Sequence, residues 1–366
     1  MSFDKGPMTF RVCRLMDDLP EDVLDRFAEL CAPALDQIRD EPVIGWVSGR
    51  HLLETRIDSE TSQLGNFYHL CLRQAERKIP APLLNAECKM AELAAMAAKG
   101  VDHLKRQEKQ EIKQEIKERM LPNMPPQLSG IPVSVDLAEK LVYVGATTER
   151  QLDLFLDFFR KATGVEPVPV TPDFLAQEIL GTDATEIPAL NISPELPDDA
   201  QGGSVGENFL TWLWYFQEER GGVLPPSRLG EFALMIDGPL VLAAEGGGAL
   251  ESAIRKGTPT ISAEAKAALM VGKKLRSAKV LLARGKGEEW SVTMDAREFV
   301  FRSLKVPEGE AMEAVSIFED RMTNLNIFLC VIRALFQLYL KEMTDPAKAA
   351  DYQAKAKEWV KNRRGE

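Results

Sequence analysis

The chain has 366 residues and a formal net charge of −11, with 45% hydrophobic and 28% charged residues. These values are typical of a globular protein with two or three structural units, and they exclude intrinsically disordered and collagen-like classes. Residues 1–23 hold no apolar stretch long enough for a signal peptide, and no segment approaches about 18 uninterrupted apolar residues. We therefore expect a cytoplasmic protein without a membrane span.

Cysteine and histidine are placed in a way that predicts neither disulfides nor a metal site. The five cysteines are odd in number and scattered, which is typical of buried thiols in a reducing compartment. His51, His69 and His103 lie far apart, and none accompanies a Cys-x-x-Cys pair. No metal and no cofactor is predicted.

The first 172 residues read as two α+β units. In residues 1–80, TFRVCRL, PVIGWV and NFYHLCLR have strand patterns, and PEDVLDRFAELCAPAL has a helix pattern. In residues 81–172, a helical arm runs from about Leu83 to Met120, and Gly100 marks a break in it. A hairpin in IPVSVDLAEKLVYVGA, an amphipathic helix ending at Gly164 and a strand in EPVPV follow.

Four lysines repeat at four-residue spacing in the second half of the arm. Because residues four apart are neighbours on a helix, Lys105, Lys109, Lys113 and Lys117 share one slowly drifting face. Leu104, Ile112, Ile116 and Met120 form a separate apolar row. One side of this helix is thus predicted to dock and another to present positive charge, with Lys105–Glu108 and Glu115–Arg119 as its well-matched ion pairs. A merely solvated charged face is the alternative.

Residues 173–251 form a third unit, which is acidic. They carry fourteen acidic and two basic side chains, a net charge of −12, and the first half reads as an irregular insertion rich in Pro, Gly and Asp. The segment FLTWLWYFQEE within it is too apolar to stay in water, so we expect a packed helix or strand there. A base-stacking platform is the alternative.

The fourth unit, residues 252–366, begins with the opposite charge. Residues 252–287 carry nine basic side chains and one acidic one. Ser262 is a good N-cap for a helix running through AEAKAALMVGKKLRSA, and KVLLAR, EWSVTMD and EFVFRSL then read as an antiparallel meander. Of two helical stretches in the tail, the first is apolar but interrupted by charges, which favours a core or dimer helix over a membrane span.

The run LKRQEKQEIKQEIKERMLP, preceded by CLRQAERKIPAP and followed by the hairpin and RKATGVEPVPVTP, resembles the RdgC family of bacterial recombination-associated DNA-binding proteins. AIRKGTPTISAEAKAALMVGKKLRSAKVLLA is also similar, so the resemblance covers about residues 9–172 and 252–307. It implies an α+β fold with antiparallel sheets, packed helices and a long helical arm, assembled as a ring-like homodimer. Such a ring encircles duplex DNA without sequence specificity, modulates RecA-dependent recombination and is associated with the nucleoid.

The resemblance also implies which side chains contact phosphates. The residues that we expect to bind DNA are Lys105, Arg106, Lys109, Lys113, Lys117, Arg255, Lys256, Lys266, Lys273, Lys274 and Arg276. Sequence-independent binding needs only Lys and Arg on rigid elements, and an overall negative charge does not prevent it because a local basic stripe releases the counterions of DNA.

Two other functions stay open. Proteins of this kind have sometimes been described as exonucleases, and Pro172-Asp173 with Glu264-x-Lys266 imitates one nuclease pattern, although Glu264 falls at a predicted helix start. The chain would otherwise be an acidic protein-interaction module with weak DNA affinity. We expect no ATPase, because the glycines of AEGGGALE lack the Gly-Lys-Ser/Thr of a phosphate-binding loop.

Overall fold

A computed structural model describes residues 3–363 apart from 40, 182, 198–199, 201, 245–249, 286 and 310. The glycines of AEGGGALE and Lys286 of the basic segment therefore lie outside the described residues.

The described residues form twelve strands and ten α-helices. The strands are β1 (Met8–Arg14), β2 (Val43–Ser48), β3 (Gln63–Leu64), β4 (Phe67–Arg77), β5 (Pro126–Asp136), β6 (Leu141–Val144), β7 (Val168–Pro169), β8 (Phe232–Ala243), β9 (Glu251–Ile254), β10 (Lys274–Arg284), β11 (Glu288–Asp295) and β12 (Val300–Lys305). The helices are α1 (Val23–Glu29), α2 (Ser59–Ser62), α3 (Ala81–Lys99), α4 (Arg106–Met120), α5 (Glu149–Thr163), α6 (Pro172–Leu180), α7 (Val205–Arg220), α8 (Ala263–Met270), α9 (Ala314–Met343) and α10 (Pro346–Asn362).

One large antiparallel sheet organises the chain. Its hydrogen-bonded order is β2-β4-β5-β6-β1-β12-β11-β10-β8-β9, with β3 paired to β4 and β7 paired to β1 beside this path. All of these strand pairs are antiparallel. The predicted α+β class, the β5–β6 hairpin and the β10–β11–β12 meander are confirmed.

Two large apolar clusters cover this sheet, and a third holds only Ala32, Val47 and Cys71. The smaller cluster packs α1 and α5 against β2, β4, β5 and β6, and Trp46 lies at its centre with Phe27, Phe155 and Phe159 as ring neighbours. The larger cluster packs α7, α9 and α10 against five neighbouring strands of the sheet, β1, β12, β11, β10 and β8. Burial of this apolar surface is the main stabilising contribution to the fold.

The acidic segment 173–251 supplies part of this larger core. Its aromatic run is the helix α7, in which the residues from Gly206 to Phe216 are buried, so the predicted packed element is confirmed. Ser204 caps the start of the helix by accepting from the Glu207 N–H, and Gly221 ends it with a left-handed φ of +75°. The same segment supplies β8, which pairs with β10.

Two sequence expectations about helices had different outcomes. The predicted helix after Ser262 is α8, but it ends at Met270, because Gly272 takes a φ of +83° and Lys274 already begins β10. By length and composition α9 could cross a membrane, but 44% of its most apolar window is buried, and Phe318, Leu325 and Phe336 lie in the core. The expectation of a core helix at α9 is thus supported.

Candidate nucleic-acid interface

The helical arm, α3 and α4, is inserted between two neighbouring strands of the sheet. β4 and β5 pair along their whole length, from Phe67 with Asp136 to Arg77 with Pro126. The arm occupies the place of the hairpin turn between them. At its base the Arg77 guanidinium donates to the carbonyl oxygens of Ile38, at 2.9 Å, and Met124, which ties the arm to the sheet.

Local sequence explains how the arm folds. Pro82 lies in the first turn of α3, where its missing N–H costs no hydrogen bond, and Gly100 ends α3 with a φ of +64°. Glu108 stabilises the start of α4 by accepting from the Lys105 N–H at 2.7 Å. The predicted apolar row docks: Ile116 is buried, while α3 contains no buried residue at all. The arm is therefore a thin helical hairpin with most of its surface in solvent.

Ion pairs define the two edges of the arm. On one edge Lys109 Nζ lies 3.6 Å from Glu92 Oε2, and on the other Arg119 Nη2 lies 3.0 Å from Glu87 Oε2. The expected pairs within α4 were wrong in detail. Arg119 pairs with Glu87 of α3 rather than with Glu115. The Glu108 carboxylate accepts a hydrogen bond from Lys99 Nζ at 2.5 Å, and this bond lowers the pKa of Glu108.

The first of these edges is basic. At about 100° of rotation per residue, Arg106, Lys113 and Lys117 lie within about 40° of one another, on the same side of α4 as Lys109. All three are exposed, and none makes an ion pair within the described part of the chain. We call Arg106, Lys113 and Lys117 the basic stripe. Free guanidinium and ammonium groups on a rigid helix are what phosphate contacts require.

Sequence reasoning missed one cation on this side. Lys89 of α3 is exposed, lies three residues before Glu92 on the same helix face and has no ion pair among the described residues. The three-residue spacing of Lys89 from Glu92 would have placed Lys89 on this side of the arm, if the pairing of Glu92 with Lys109 had been known.

The opposite edge is acidic and apolar. Glu111, Glu115 and Glu118 lie within about 60° of one another on the Arg119 side of α4. On α3, an exposed stripe faces away from α4 and consists of Leu83, Ala86, Met90, Leu93 and Ala97. Spacings that alternate between three and four residues are those of a helix-packing seam, and we call this set the α3 seam.

The C-terminal candidates are mostly engaged by the protein itself. Arg255 and Lys256 follow β9, are exposed and have no ion pair within the described ranges. By contrast, Lys266 Nζ donates to the Arg363 carbonyl oxygen at 2.6 Å, and Arg276 Nη1 lies 3.3 Å from Glu251 Oε2. Arg255 and Lys256 are the two of these residues most available to an external phosphate.

Lys273 and Lys274 are buried, contrary to what a phosphate contact needs. Lys273 Nζ donates to Ser252 Oγ at 2.8 Å, and Lys274 Nζ donates to the Leu190 carbonyl oxygen. Burial lowers the pKa of Lys274 to about 7, against the opposing influence of the Glu207 carboxylate. The sequence pattern missed this because the helix was expected to continue through Gly272, whereas the helix ends at Met270 and Lys274 begins β10.

The two basic regions lie at opposite ends of the sheet. The arm leaves from β4 and β5, the second and third strands of the path, whereas Arg255 and Lys256 adjoin the last strand, β9. With about 4.8 Å between neighbouring strands, the two regions are separated by roughly 35–40 Å along the sheet.

The nuclease-like residues are scattered over separate elements. Asp173 lies in the first turn of α6, Glu264 lies in the first turn of α8, and both are exposed. Among the described residues, no group of three or more His, Cys, Asp or Glu is arranged to hold a metal ion.

The chain was compared with models of known protein families. Residues 17–180 match the model of the family described as "RdgC: Putative exonuclease, RdgC". The match contains the whole arm and the strands β4 and β5 that carry it. No curated protein matches the chain.

Proposed function

Because residues 17–180 match the model of the RdgC family, we propose that the protein binds duplex DNA without sequence specificity, using the arm as its principal contact. The observation that carries this proposal is the basic stripe, whose three cations are exposed and unpaired on a rigid helix, while neighbouring cations of the arm are neutralised by α3. The protein thus leaves positive charge available on one edge and not on the other.

The dimensions of the stripe suit a phosphate backbone. Arg106 and Lys117 are eleven residues apart, or about 16 Å along the helix axis at 1.5 Å per residue. Duplex DNA carries one negative charge per about 1.7 Å of its axis, so the stripe faces several phosphates in any register. No side chain set for reading base edges is needed for such binding.

The assembly that we propose is a homodimeric ring around the duplex, as the family resemblance implies. The α3 seam supports a contact between copies, since Leu83, Met90 and Leu93 are 40%, 68% and 51% exposed and alone would leave apolar surface in water. A ring with a wide central hole is favoured by the sheet, because the arm and the pair Arg255 and Lys256 lie at opposite ends of the strand order. A closed ring on duplex DNA would limit the access of the RecA recombinase, which makes the protein a modulator of recombination that acts at the nucleoid in the cytoplasm.

Exonuclease activity is the second candidate function, favoured by the description of the matched family. It would require carboxylates that converge on a divalent metal at the scissile phosphate. We propose that the chain is not an enzyme, and that a protein-interaction role of the acidic segment 173–251 is secondary to DNA binding.

Fluorescence anisotropy separates these functions. A labelled random duplex and a labelled single strand are titrated with the protein across a salt series, first in EDTA and then with Mg²⁺ or Mn²⁺. We expect duplexes of unrelated sequence to bind equally, with a steep linear fall of log affinity against log salt and intact DNA in every condition. Metal-dependent shortening of the strand would establish the exonuclease instead, and absence of binding at low salt would leave the protein-interaction role.

A further inference from the structure

A cavity of about 330 Å³ lies between the sheet and α9, on the body of the protein and not on the arm. Most of its wall is apolar, being formed by Val12, Leu141, Val170, Leu175, Phe299, Phe301, Leu329 and Ile332. Asn326, Cys330, Arg14, Glu139 and Arg333 supply the polar part of the lining. Small-molecule sites have this character, with volumes of about 300–1,000 Å³ and a few polar groups at fixed positions in an apolar wall.

The aromatic part of the wall is held in a constrained conformation. Phe299 and Phe301 stack with ring centroids 6.1 Å apart, and Phe301 also stacks on Phe10 at 5.2 Å. Phe299 takes a left-handed backbone φ of +47°, which a bulky residue rarely adopts and which tends to persist at binding sites. This wall offers rigid ring surface to an apolar or aromatic body.

Two guanidinium groups meet at the cavity from opposite sides. Arg14 of β1 and Arg333 of α9 both contact the carboxylate of Glu178, through Arg14 Nη1 to Oε2 and Arg333 Nη2 to Oε1, each at 2.7 Å. Burial alone would raise the pKa of Glu178, but hydrogen bonds from Arg333 and Arg14 lower it below its ordinary value. Glu178 is therefore ionised and keeps both guanidinium groups in place.

The arginines have donors to spare. A guanidinium carries five N–H donors, and within the described residues Glu178 is the single partner of each of these two groups. Guanidinium groups bind carboxylates through two parallel hydrogen bonds, because the fork of N–H groups matches the two carboxylate oxygens.

We infer that this cavity binds a small carboxylate with an apolar or aromatic body. The body lies against Phe299, Phe301 and Leu329, and the carboxylate accepts hydrogen bonds from Arg14 and Arg333 at the mouth. Glu139 and Cys330 also line the cavity. Burial raises the pKa of the Cys330 thiol, the Glu139 carboxylate adds to this effect, and the Arg333 guanidinium opposes it.

The free carboxylate of Glu139 distinguishes two sources of such a ligand. Glu139 is exposed and makes no ion pair in the part of the chain that the structure describes. An amino acid with an apolar side chain would place its ammonium group near Glu139, whereas a simple organic acid would gain nothing from it. Both share the apolar carboxylate that the arginines and the ring wall recognise.

The test uses the full chain and three related probes: 3-phenylpropionate, 3-phenylpropanamide and L-phenylalanine. Binding is measured by isothermal titration calorimetry and by ligand-observed NMR. We expect saturable binding of 3-phenylpropionate, with at least about tenfold weaker binding of the amide, which lacks the charge. Tighter binding of L-phenylalanine than of 3-phenylpropionate would assign the amino-acid class, and weaker binding the simple acids.

Three variants make the test specific. Arg333→Gln removes one guanidinium, and Arg302→Gln is its control, because the two side chains have similar exposure (39% and 38%) and each pairs with one carboxylate. Cys330→Phe fills the mouth from an exposed position. We expect Arg333→Gln and Cys330→Phe to weaken 3-phenylpropionate binding at least about tenfold at unchanged melting temperature, while Arg302→Gln leaves it intact.

Three results would overturn the inference. One is no binding of 3-phenylpropionate to the folded protein at millimolar concentration. Another is equal binding of the acid and the amide, which would mean that the arginines play no part. The third is wild-type affinity in both Arg333→Gln and Cys330→Phe.

Discussion

Arg77 at the end of β4 pairs with Pro126 at the start of β5, and the whole helical arm lies between these two residues. The sheet therefore closes across the base of the arm without using arm residues as strand partners. We therefore predict that the body folds without the arm.

Replacing residues 78–125 by an Asn-Gly turn tests that prediction. A two-residue Asn-Gly loop joins antiparallel strands in the register that β4 and β5 already have. We expect a folded protein with unchanged strand signal in circular dichroism, because Leu104 and Ile116 are the only buried apolar residues removed from the described part of the chain. Duplex affinity should fall to background in the same preparation. Loss of cooperative unfolding would show instead that the arm stabilises the sheet.

The α3 seam predicts an oligomeric state. Met90→Lys together with Leu93→Glu places charges on a seam that is apolar and exposed, and light scattering should then give the mass of one chain where the wild type gives two. Met312→Lys is the control, because Met312 is 95% exposed and lies outside the seam. A dimeric double variant would place the contact between copies elsewhere.

Burial predicts that Lys274 contributes to stability and not to DNA binding. Lys274→Met should leave duplex affinity and its salt slope unchanged, since the ammonium group is inside the protein and donates to the Leu190 carbonyl oxygen. Arg255→Gln with Lys256→Gln should lower the affinity, because both side chains are exposed and unpaired within the described ranges. The opposite ranking in anisotropy titrations would mean that Lys274 becomes accessible on DNA.

His69 predicts a pH dependence of stability. Burial lowers the pKa of His69 from 6.5 to about 4, with only Asp4 opposing, and the ring packs 5.0 Å from that of Phe318. Between these pH values the unfolded chain binds more protons than the folded one. The free energy of unfolding therefore falls as the pH drops from about 6.5 to 4, by roughly 3 kcal/mol from this group.

His69→Phe should remove that contribution. Phenylalanine keeps the ring contact with Phe318 and does not titrate, so urea unfolding at pH 4.5 and 7 should show a smaller pH dependence than in the wild type. Equal pH dependence in both proteins would mean that the His69 ring is protonated in the folded state.

Local patterns sufficed for much of the fold but not for the availability of charge. Gly100 and Gly164 predicted helix ends correctly, and the aromatic run in α7 had to be buried whatever its secondary structure. Charge counting, however, treats Lys113 and Lys274 alike, although one is exposed and the other lies inside the protein. The burial of Lys274 depends on the pairing of β10 with β8 after Gly272. The pattern of AEAKAALMVGKKLRSA does not show that pairing.

Contacts distant in sequence were equally beyond prediction. Glu87 with Arg119 and Glu92 with Lys109 decide which arm cations stay free, and they depend on the register of α3 against α4. Arg14, Glu178 and Arg333 come from three elements that only the sheet and α9 bring together. Pairwise spacing within one helix cannot reveal either set.

The basic stripe itself gives the most direct test of DNA binding by the arm. Arg106→Gln, Lys113→Gln and Lys117→Gln are combined, and Arg150→Gln, Lys305→Gln and Lys341→Gln form a control with the same change in net charge at exposed positions away from the arm. Anisotropy of a labelled duplex is measured across a salt series. We predict that the stripe variant binds the duplex more weakly than the wild type. Its slope of log affinity against log salt should be smaller in magnitude by about 2 to 3, because each phosphate that is no longer neutralised removes about 0.9 from the slope. The control should keep the wild-type slope. Equal slopes in all three proteins would contradict the account and make the stripe a solvated face.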